Sequence, residues 1–440
     1  MKLFDQIWDF FASVKLAIFT LFTLSITAII GTVIPQGENA AFYVKNYGAK
    51  TAQFFQILDI GDMYNSWWFL TLLGVLTANL IVCSFERIPR VWGIIQADNL
   101  ALSAERIEKM SGSRSWTLPP GQLQQLSFEK ILTDHGWPAT SRRETTGSCH
   151  FSQRGRWSRL GVYIVHGSIL VIFIGAAVGE FFGYKGTVML PELVSAGQIF
   201  ATKTRQPIPL DFEVRCDSFV VEFYDNGMPK TYRSQLTIIE EGKEVLTRDI
   251  EVNTPLTYRG ITFYQSSYQG YQDFIVRIQK IGDEQSGLFN LPFQQQEIWE
   301  EKGIQFGIVN AEAIGQRVVR AKLWFKPNNQ PAVIEWFDDN RDRVLQVGDD
   351  EYRVLVKQMY ATGLQVAKDP GVWIVYLGCG LMMVGLYMAF FMSHRRVWLY
   401  SSTDKGGDRL VLAGSANKNK QAFVKTLTEL EQGIDQAIQG

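Results

Sequence analysis

The chain has 440 residues, with Lys+Arg 43 against Asp+Glu 44, for a formal net charge of -1. That balance lacks the basic excess of a nucleic-acid binder, so no nucleic acid is expected as a partner. With 46% hydrophobic and 20% charged residues, extended disorder is excluded as well.

In chain order, four runs without Asp, Lys or Arg set the plan: Leu16 to Ile34, Trp67 to Phe85, Leu160 to Phe182 and Val372 to Met392. At about 1.5 Å per helical residue, each can cross a hydrocarbon core of roughly 30 Å. The first run ends in Gly31-Thr32-Val33-Ile34-Pro35-Gln36-Gly37, which is no small-x-small cleavage site, so a retained helix is expected. Residues 1–34 therefore hold the N-terminus and span one (16–34), and 35–66 form a short loop. Span two covers 67–85, a loop fills 86–159, and span three covers 160–182. A large segment, 183–371, separates span three from span four (372–392), and a tail covers 393–440.

Basic residues set the orientation. Lys2 and Lys15 precede span one, Arg87 and Arg90 follow span two, Arg154, Arg156 and Arg159 precede span three, and Arg395 and Arg396 follow span four. Loop 35–66 carries only Lys45 and Lys50. Both termini and 86–159 are thus expected in the cytoplasm, with 35–66 and 183–371 outside it.

Loop 86–159 reads as a small α+β unit. Leu123, Leu126, Ile131 and Leu132 mark one helical face, and strands are expected at Ser115 to Leu118 and Cys149 to Gln153. Segment 183–371 alternates in the manner of strands at Phe212 to Cys216, Thr231 to Ile239, Val245 to Val252, Asp273 to Ile281 and Tyr352 to Val356. Turns are signalled at Asn226-Gly227, Glu241-Gly242-Lys243, Arg259-Gly260 and Pro327 to Pro331. The pattern predicts an antiparallel β-rich domain, with a sandwich as its simplest form. In the tail, Phe423, Leu427, Leu430, Ile434 and Ile438 have helical spacing. That amphipathic helix can dock on this chain or on a partner, and Lys418, Lys420 and Lys425 suit an anionic surface. The fold class is a membrane protein with four transmembrane helices, a large extracytoplasmic β-rich domain and a small cytoplasmic α+β loop domain.

The four cysteines, Cys83, Cys149, Cys216 and Cys379, fall on different sides or inside a span, which excludes a conventional disulfide framework. There is no C-x-x-C, hence no zinc knuckle or thioredoxin-type pair, and no C-x-x-C-H. His135 and His150 read as surface residues. His166 lies seven residues past Arg159, roughly 10 Å into span three. An imidazole at that depth needs a partner, either an interhelical hydrogen bond or a haem iron. His394, with Arg395, Arg396 and Trp398, reads as an interfacial anchor or as a point where haem enters and its propionates meet arginines. Gly74, Gly378, Gly380 and Gly385 suggest close helix packing. The uncharged aromatic run from Phe263 to Tyr271 is strand core, or a surface for another polypeptide.

Four segments together resemble the ResB/CcsB family of cytochrome c maturation (System II): Gly31 to Gln36; Arg154 to Gly161 with Tyr163 and His166; Arg259 to Tyr268; and His394 to Trp398. The resemblance spans nearly the whole chain. It implies pairing with a ResC/CcsA-type membrane protein in a cytochrome c synthase that moves haem b across the membrane. There the haem is attached to an apocytochrome c bearing C-x-x-C-H. It implies that His166 is one axial ligand to a transient haem shared with the partner. The complex, rather than this chain alone, would be the enzyme, and a separate thiol-reducing protein would keep the apocytochrome thiols free. The location implied is a bacterial cytoplasmic (inner) membrane, or a thylakoid membrane. The alternative is a scaffold or chaperone for the synthase partner and apocytochrome, without haem ligation. A transporter or quinone-linked redox protein fits least, because the spans lack charged relays and paired histidines.

Overall fold

The structure is a computed structural model that describes the chain except residues 1, 111, 125, 145–146, 225–227, 316, 405–406 and 440. The expected Asn226-Gly227 turn lies outside the described residues. Two compact units emerge, one from 1–175 with 373–440 and the other from 176–372. The helices are α1 (Lys2–Phe11), α2 (Val14–Val33), α3 (Ala40–Tyr47), α4 (Ala49–Ile57), α5 (Trp67–Gln96), α6 (Ala104–Glu108), α7 (Phe128–Asp134), α8 (Gly161–Phe182), α9 (Val372–Phe390) and α10 (Lys420–Gln439).

Helices α2, α5, α8 and α9 are long and apolar enough to cross a membrane. Large side chains on them stay exposed, among them Phe19, Trp67, Phe181 and Tyr387, as a lipid solvent requires. Helix α5 starts where span two is expected to start and outlasts it. It runs on through Glu86, Arg87 and Arg90 to Gln96, about 45 Å in all. An i,i+4 pair between Arg90 and Glu86 (3.4 Å) lets the charged stretch remain helical. The 35–66 segment is structured: α3, α4 and a 3₁₀ turn at Ile60–Asn65 fill it.

The first unit carries a five-stranded antiparallel sheet built from β1 (Arg114–Leu118), β2 (Thr140–Glu144) and β3 (Gly147–Arg154), together with two strands from the tail. The other unit holds β4 (Tyr184–Pro191), β5 (Ser195–Ala201), β6 (Pro207–Phe223), β7 (Pro229–Glu240), β8 (Lys243–Glu251), β9 (Leu256–Tyr258), β10 (Ile261–Lys280), β11 (Ser286–Leu291), β12 (Gln296–Trp299), β13 (Ile304–Ile314), β14 (Arg317–Pro327), β15 (Val333–Asp338), β16 (Arg341–Val347) and β17 (Asp350–Lys368). The tail strands are β18 (Arg395–Asp404) and β19 (Gly407–Ala416).

The order β1-β19-β18-β3-β2 corrects the separate reading of loop and tail, which together form one sheet. Strand β18 alternates across it. Val397 and Leu399 join the core under α7 and α10, while Trp398 and Tyr400 join the opposite core with Ile107 of α6. The tail helix does dock on this chain, through Phe423, Leu427, Leu430 and Ile434. The single helical face expected over Leu123 to Leu132 is broken into a 3₁₀ turn at Gln122–Gln124 and α7. The buried Asp408 carboxylate accepts from the N–H groups of Gly121 (2.9 Å) and Leu123 (3.0 Å), which fixes that turn.

In the other unit, a ten-stranded sheet runs β11-β10-β17-β4-β5-β6-β7-β8, with β16 on β17 and β9 on β10. A four-stranded sheet runs β12-β13-β14-β15. The long β10–β17 ladder serves two cores. Ile261 and Phe263 join one, built from the large sheet folded on itself; Phe274, Val276 and Ile278 join the other, where the two sheets face each other. A register break between Gly270 and Phe274 marks the change. The sandwich expectation thus describes only one of the two lobes.

Candidate functional site

Span three is built for close approach on one side. Gly161, Ser168 and Gly175 are its buried residues, and Gly378, Gly385 and Ala389 are those of α9. A methyl group added at Gly385 would sit 2.9 Å from the Val165 nitrogen, and one at Gly378 would sit 3.0 Å from that of Ile172. Gly74 and Gly380 face open space, so the packing role expected of four glycines holds for two. His166 lies beside this seam and turns toward α5. Its Nδ1 is 3.1 Å from Ser84 Oγ, and the Tyr163 ring stands nearly perpendicular at 6.2 Å. The interhelical hydrogen bond is therefore present, and it occupies one ring nitrogen. Nε2 engages no group among the described residues. The contact admits either direction: where Ser84 Oγ accepts from Nδ1–H, the lone pair resides on Nε2, the form that binds a metal, and where it donates, Nε2 carries the proton. Among the described residues no group of three or more His, Cys, Asp or Glu could hold a metal ion. Any ligation here is by a single imidazole.

The second cluster lies just past α9. His394 is buried with both ring nitrogens engaged. Nδ1 accepts from Arg159 Nε (2.8 Å), and Nε2 bonds Gln153 Oε1 (3.0 Å). Its backbone N–H donates to Asn417 Oδ1 (2.8 Å), and its carbonyl accepts from the Asn417 N–H (3.1 Å). Burial, then the cations Arg159, Arg396 and Arg156, hold the imidazole down to about 4. Arg396 reaches Ser415 Oγ (3.0 Å) and Asn99 Oδ1 (3.3 Å) and lies 5.1 Å over the Trp398 ring. Its pKa is lowered, first by burial. Arg395 is half-buried. Nearby, Lys418 Nζ donates to the Ala389 carbonyl at the end of α9. A methyl group at Gly155, where φ is 68°, would lie 2.4 Å from the Ser393 carbonyl. Arg154 to Leu160 and His394 to Trp398, distant in sequence, thus form one junction.

A profile of the ResB-like family matches residues 14–342 and 309–428. The chain belongs to the ResB-like family. It is 29% identical to a protein of Trichormus variabilis named cytochrome c biogenesis protein CcsB, across 94% of this chain and 90% of that one. Proteins of the same name from Gloeobacter violaceus (28% identity, 96% and 90%) and Crocosphaera subtropica (26%, 98% and 95%) match over similar extents.

In this ResB-like chain the other marked segments make packing and turn contacts. Gly31 packs on Met63, where an added methyl group would meet Met63 Cε at 2.3 Å, and Gln36 Oε1 accepts from the Met63 N–H (3.0 Å). Arg259 (φ 47°) and Gly260 (φ 76°) make the turn between β9 and β10. Phe263 is core. Cys83, Cys149 and Cys216 are buried and Cys379 is exposed. His135 is exposed, but His150 is buried, contrary to its surface reading, because β3 is covered on both faces. Ser84 escaped the sequence reading: one hydroxyl in a span is unremarkable until a second helix is set against it. Asn79 escaped for the same reason. It is buried and donates to the carbonyls of Phe11 (2.6 Å) and Ser13 (3.0 Å), fixing the bend between α1 and α2.

Proposed function

We propose that this chain is a membrane subunit of cytochrome c biogenesis that presents His166 Nε2 as one axial ligand to haem b, carried as cargo and shared with a ResC/CcsA-type partner. The observation that carries this reading is the one-sided engagement of His166: Nδ1 is held by Ser84 and Nε2 is left over. Neutral imidazole adds no charge to an apolar site, and a Ser84 hydroxyl that accepts from Nδ1–H would leave the lone pair on Nε2. The relatives' name supports the pathway. The basic residues flanking the spans favour cytoplasmic termini with the β-rich unit on the outer face of a bacterial cytoplasmic membrane, or of a thylakoid membrane. His394 and Arg396 hold the junction, and half-buried Arg395 is the cation left to meet a propionate. Apocytochrome c with its C-x-x-C-H thiols is the acceptor, and a separate reductant keeps those thiols free. Attachment is an activity of the complex.

The test is the visible spectrum of the chain purified with its partner, wild type beside His166→Ala. A low-spin haem spectrum that is lost in the variant and returns with added imidazole is expected. Equal haem in both would remove His166 as a ligand and leave a scaffold for partner and apocytochrome.

A further inference from the structure

The apolar side of α1 is bare, and its position shows what covers it. At about 100° per residue, Leu3, Phe4, Ile7, Trp8, Phe10 and Phe11 fall within an arc of about 160°, with Asp5, Gln6 and Asp9 on the opposite side. Leu3 is 71% and Phe4 67% exposed, and Ile7, Trp8 and Phe10 are exposed beside them. Two residues, Ala12 and Ser13, separate this helix from α2. Three successive carbonyls at that joint are held by one face of α5. Asn79 donates to those of Phe11 and Ser13, and the Cys83 thiol donates to that of Ala12 (3.0 Å). The joint is therefore pinned to a spanning helix. Helix α2 has 20 residues, a length of about 30 Å that matches a hydrocarbon core. The joint thus lies at the level where the lipid tails end, and α1 is kept there.

Apolar side chains of α2 just beyond the joint, Ile18, Phe19 and Phe22 among them, are exposed too. The bare arc of α1 therefore continues a surface that the bilayer already covers, which favours lipid as its occupant over a protein groove. Phe4 and Trp8, stacked with ring centroids 6.1 Å apart, suit the level of the headgroups. Charge bears on which lipids. Segment 2–15 carries Lys2 and Lys15 against Asp5 and Asp9, so it has no net charge to draw anionic headgroups. We propose that α1 lies in the membrane surface as an anchor, with its apolar arc among the acyl chains and Asp5 and Asp9 in water, and that it takes neutral and anionic lipids alike. The joint is clamped at Cys83, one residue before Ser84, so this seat also fixes the depth at which α5 presents Ser84 to His166.

The experiment places a benzophenone amino acid at Phe4, Ile7, Asp5 or Asp9 of the full-length chain and illuminates native membranes. All four positions are exposed, so the fold tolerates the replacement. Positions 4 and 7 should give lipid adducts at least about fivefold above 5 and 9, as read by mass spectrometry. Adducts from 4 and 7 to another polypeptide or to a second copy of this chain overturn the proposal, and so do equal lipid yields at all four positions. A second arm uses the chain in vesicles of phosphatidylcholine alone or of phosphatidylcholine with phosphatidylglycerol. The yields from 4 and 7 should agree within about twofold. A yield that needs phosphatidylglycerol would show that charge, rather than the apolar arc, seats the helix, and would overturn the proposal as well.

Discussion

His394 makes the junction between α9 and the sheet sensitive to acid, and the size of the effect follows from its surroundings. The imidazole is buried, Arg159 donates to Nδ1, and three arginines oppose a second positive charge. Its pKa is about 4 in the fold, against an ordinary 6.5. The unfolded chain therefore takes up a proton that the folded chain refuses between those values. Stability from this group is complete above about pH 6.5 and is lost as pH falls toward 4. Between pH 7.5 and pH 5 the loss is about 2 kcal/mol. That corresponds to a fall of roughly 4–8 °C in Tm for a unit of this size. The fully buried Cys149 in the same sheet gives a local readout. Its alkylation after a temperature pulse, located by mass spectrometry, reports opening of this unit. His150 shifts in the same direction through burial, so the variant is needed to isolate His394. Glutamine at 394 can keep both hydrogen bonds and carries no charge at either pH. His394→Gln should remove about 2 kcal/mol of the acid sensitivity. If the variant opens as much more readily at pH 5 as the wild type does, the imidazole is not held neutral and the electrostatic account of the junction fails.

Three further outcomes are expected. Ser84→Ala should lower haem retention by the complex about 10–100-fold, with Ser84→Thr restoring it, in a haem titration followed by absorbance; unchanged retention would show that the Nδ1 contact does not orient the ligand. Asp339, pushed up to about 6 by burial, costs the fold stability as pH rises from about 4 to 6. Asp339→Asn should therefore raise stability at pH 7.5 by about 1–3 kcal/mol and change little at pH 4, as read by thermal unfolding at the two pH values. Gly385→Leu should part α8 from α9 and destabilise the detergent-solubilised chain by about 1–3 kcal/mol, while Gly380→Leu, in open space, should not.

The spans were legible because uncharged runs of that length have few other uses. Where charge enters a helix that simply continues, as at Glu86 to Arg90, an uncharged run does not show the helix's full length. The hairpin at Glu241-Gly242 showed because both residues take positive φ, 49° and 76°, which local composition signals. Sheet membership of the tail did not show. Val397 to Tyr400 is an apolar stretch next to a span, and that reads as membrane interface until β3, some 250 residues earlier, pairs with it. His166 stood out as a lone imidazole in an apolar run, but its partner Ser84 depends on how two helices rotate against each other. Burial of His394 and His150 depends on the same long-range pairing that hid the sheet.

The placement of β18 bears on how the protein is made. It lies between β19 and β3, so the sheet is held together by residues synthesised after all four apolar helices. Until about residue 416 leaves the ribosome, β1 has no neighbour, and β3 has only β2. The arginines ahead of α8 likewise wait for their histidine. A nascent chain stopped after α9 would expose two strand edges, and quality-control proteases recognise such open surfaces. Assembly of the first unit's sheet is thus deferred until β18 and β19 have been made.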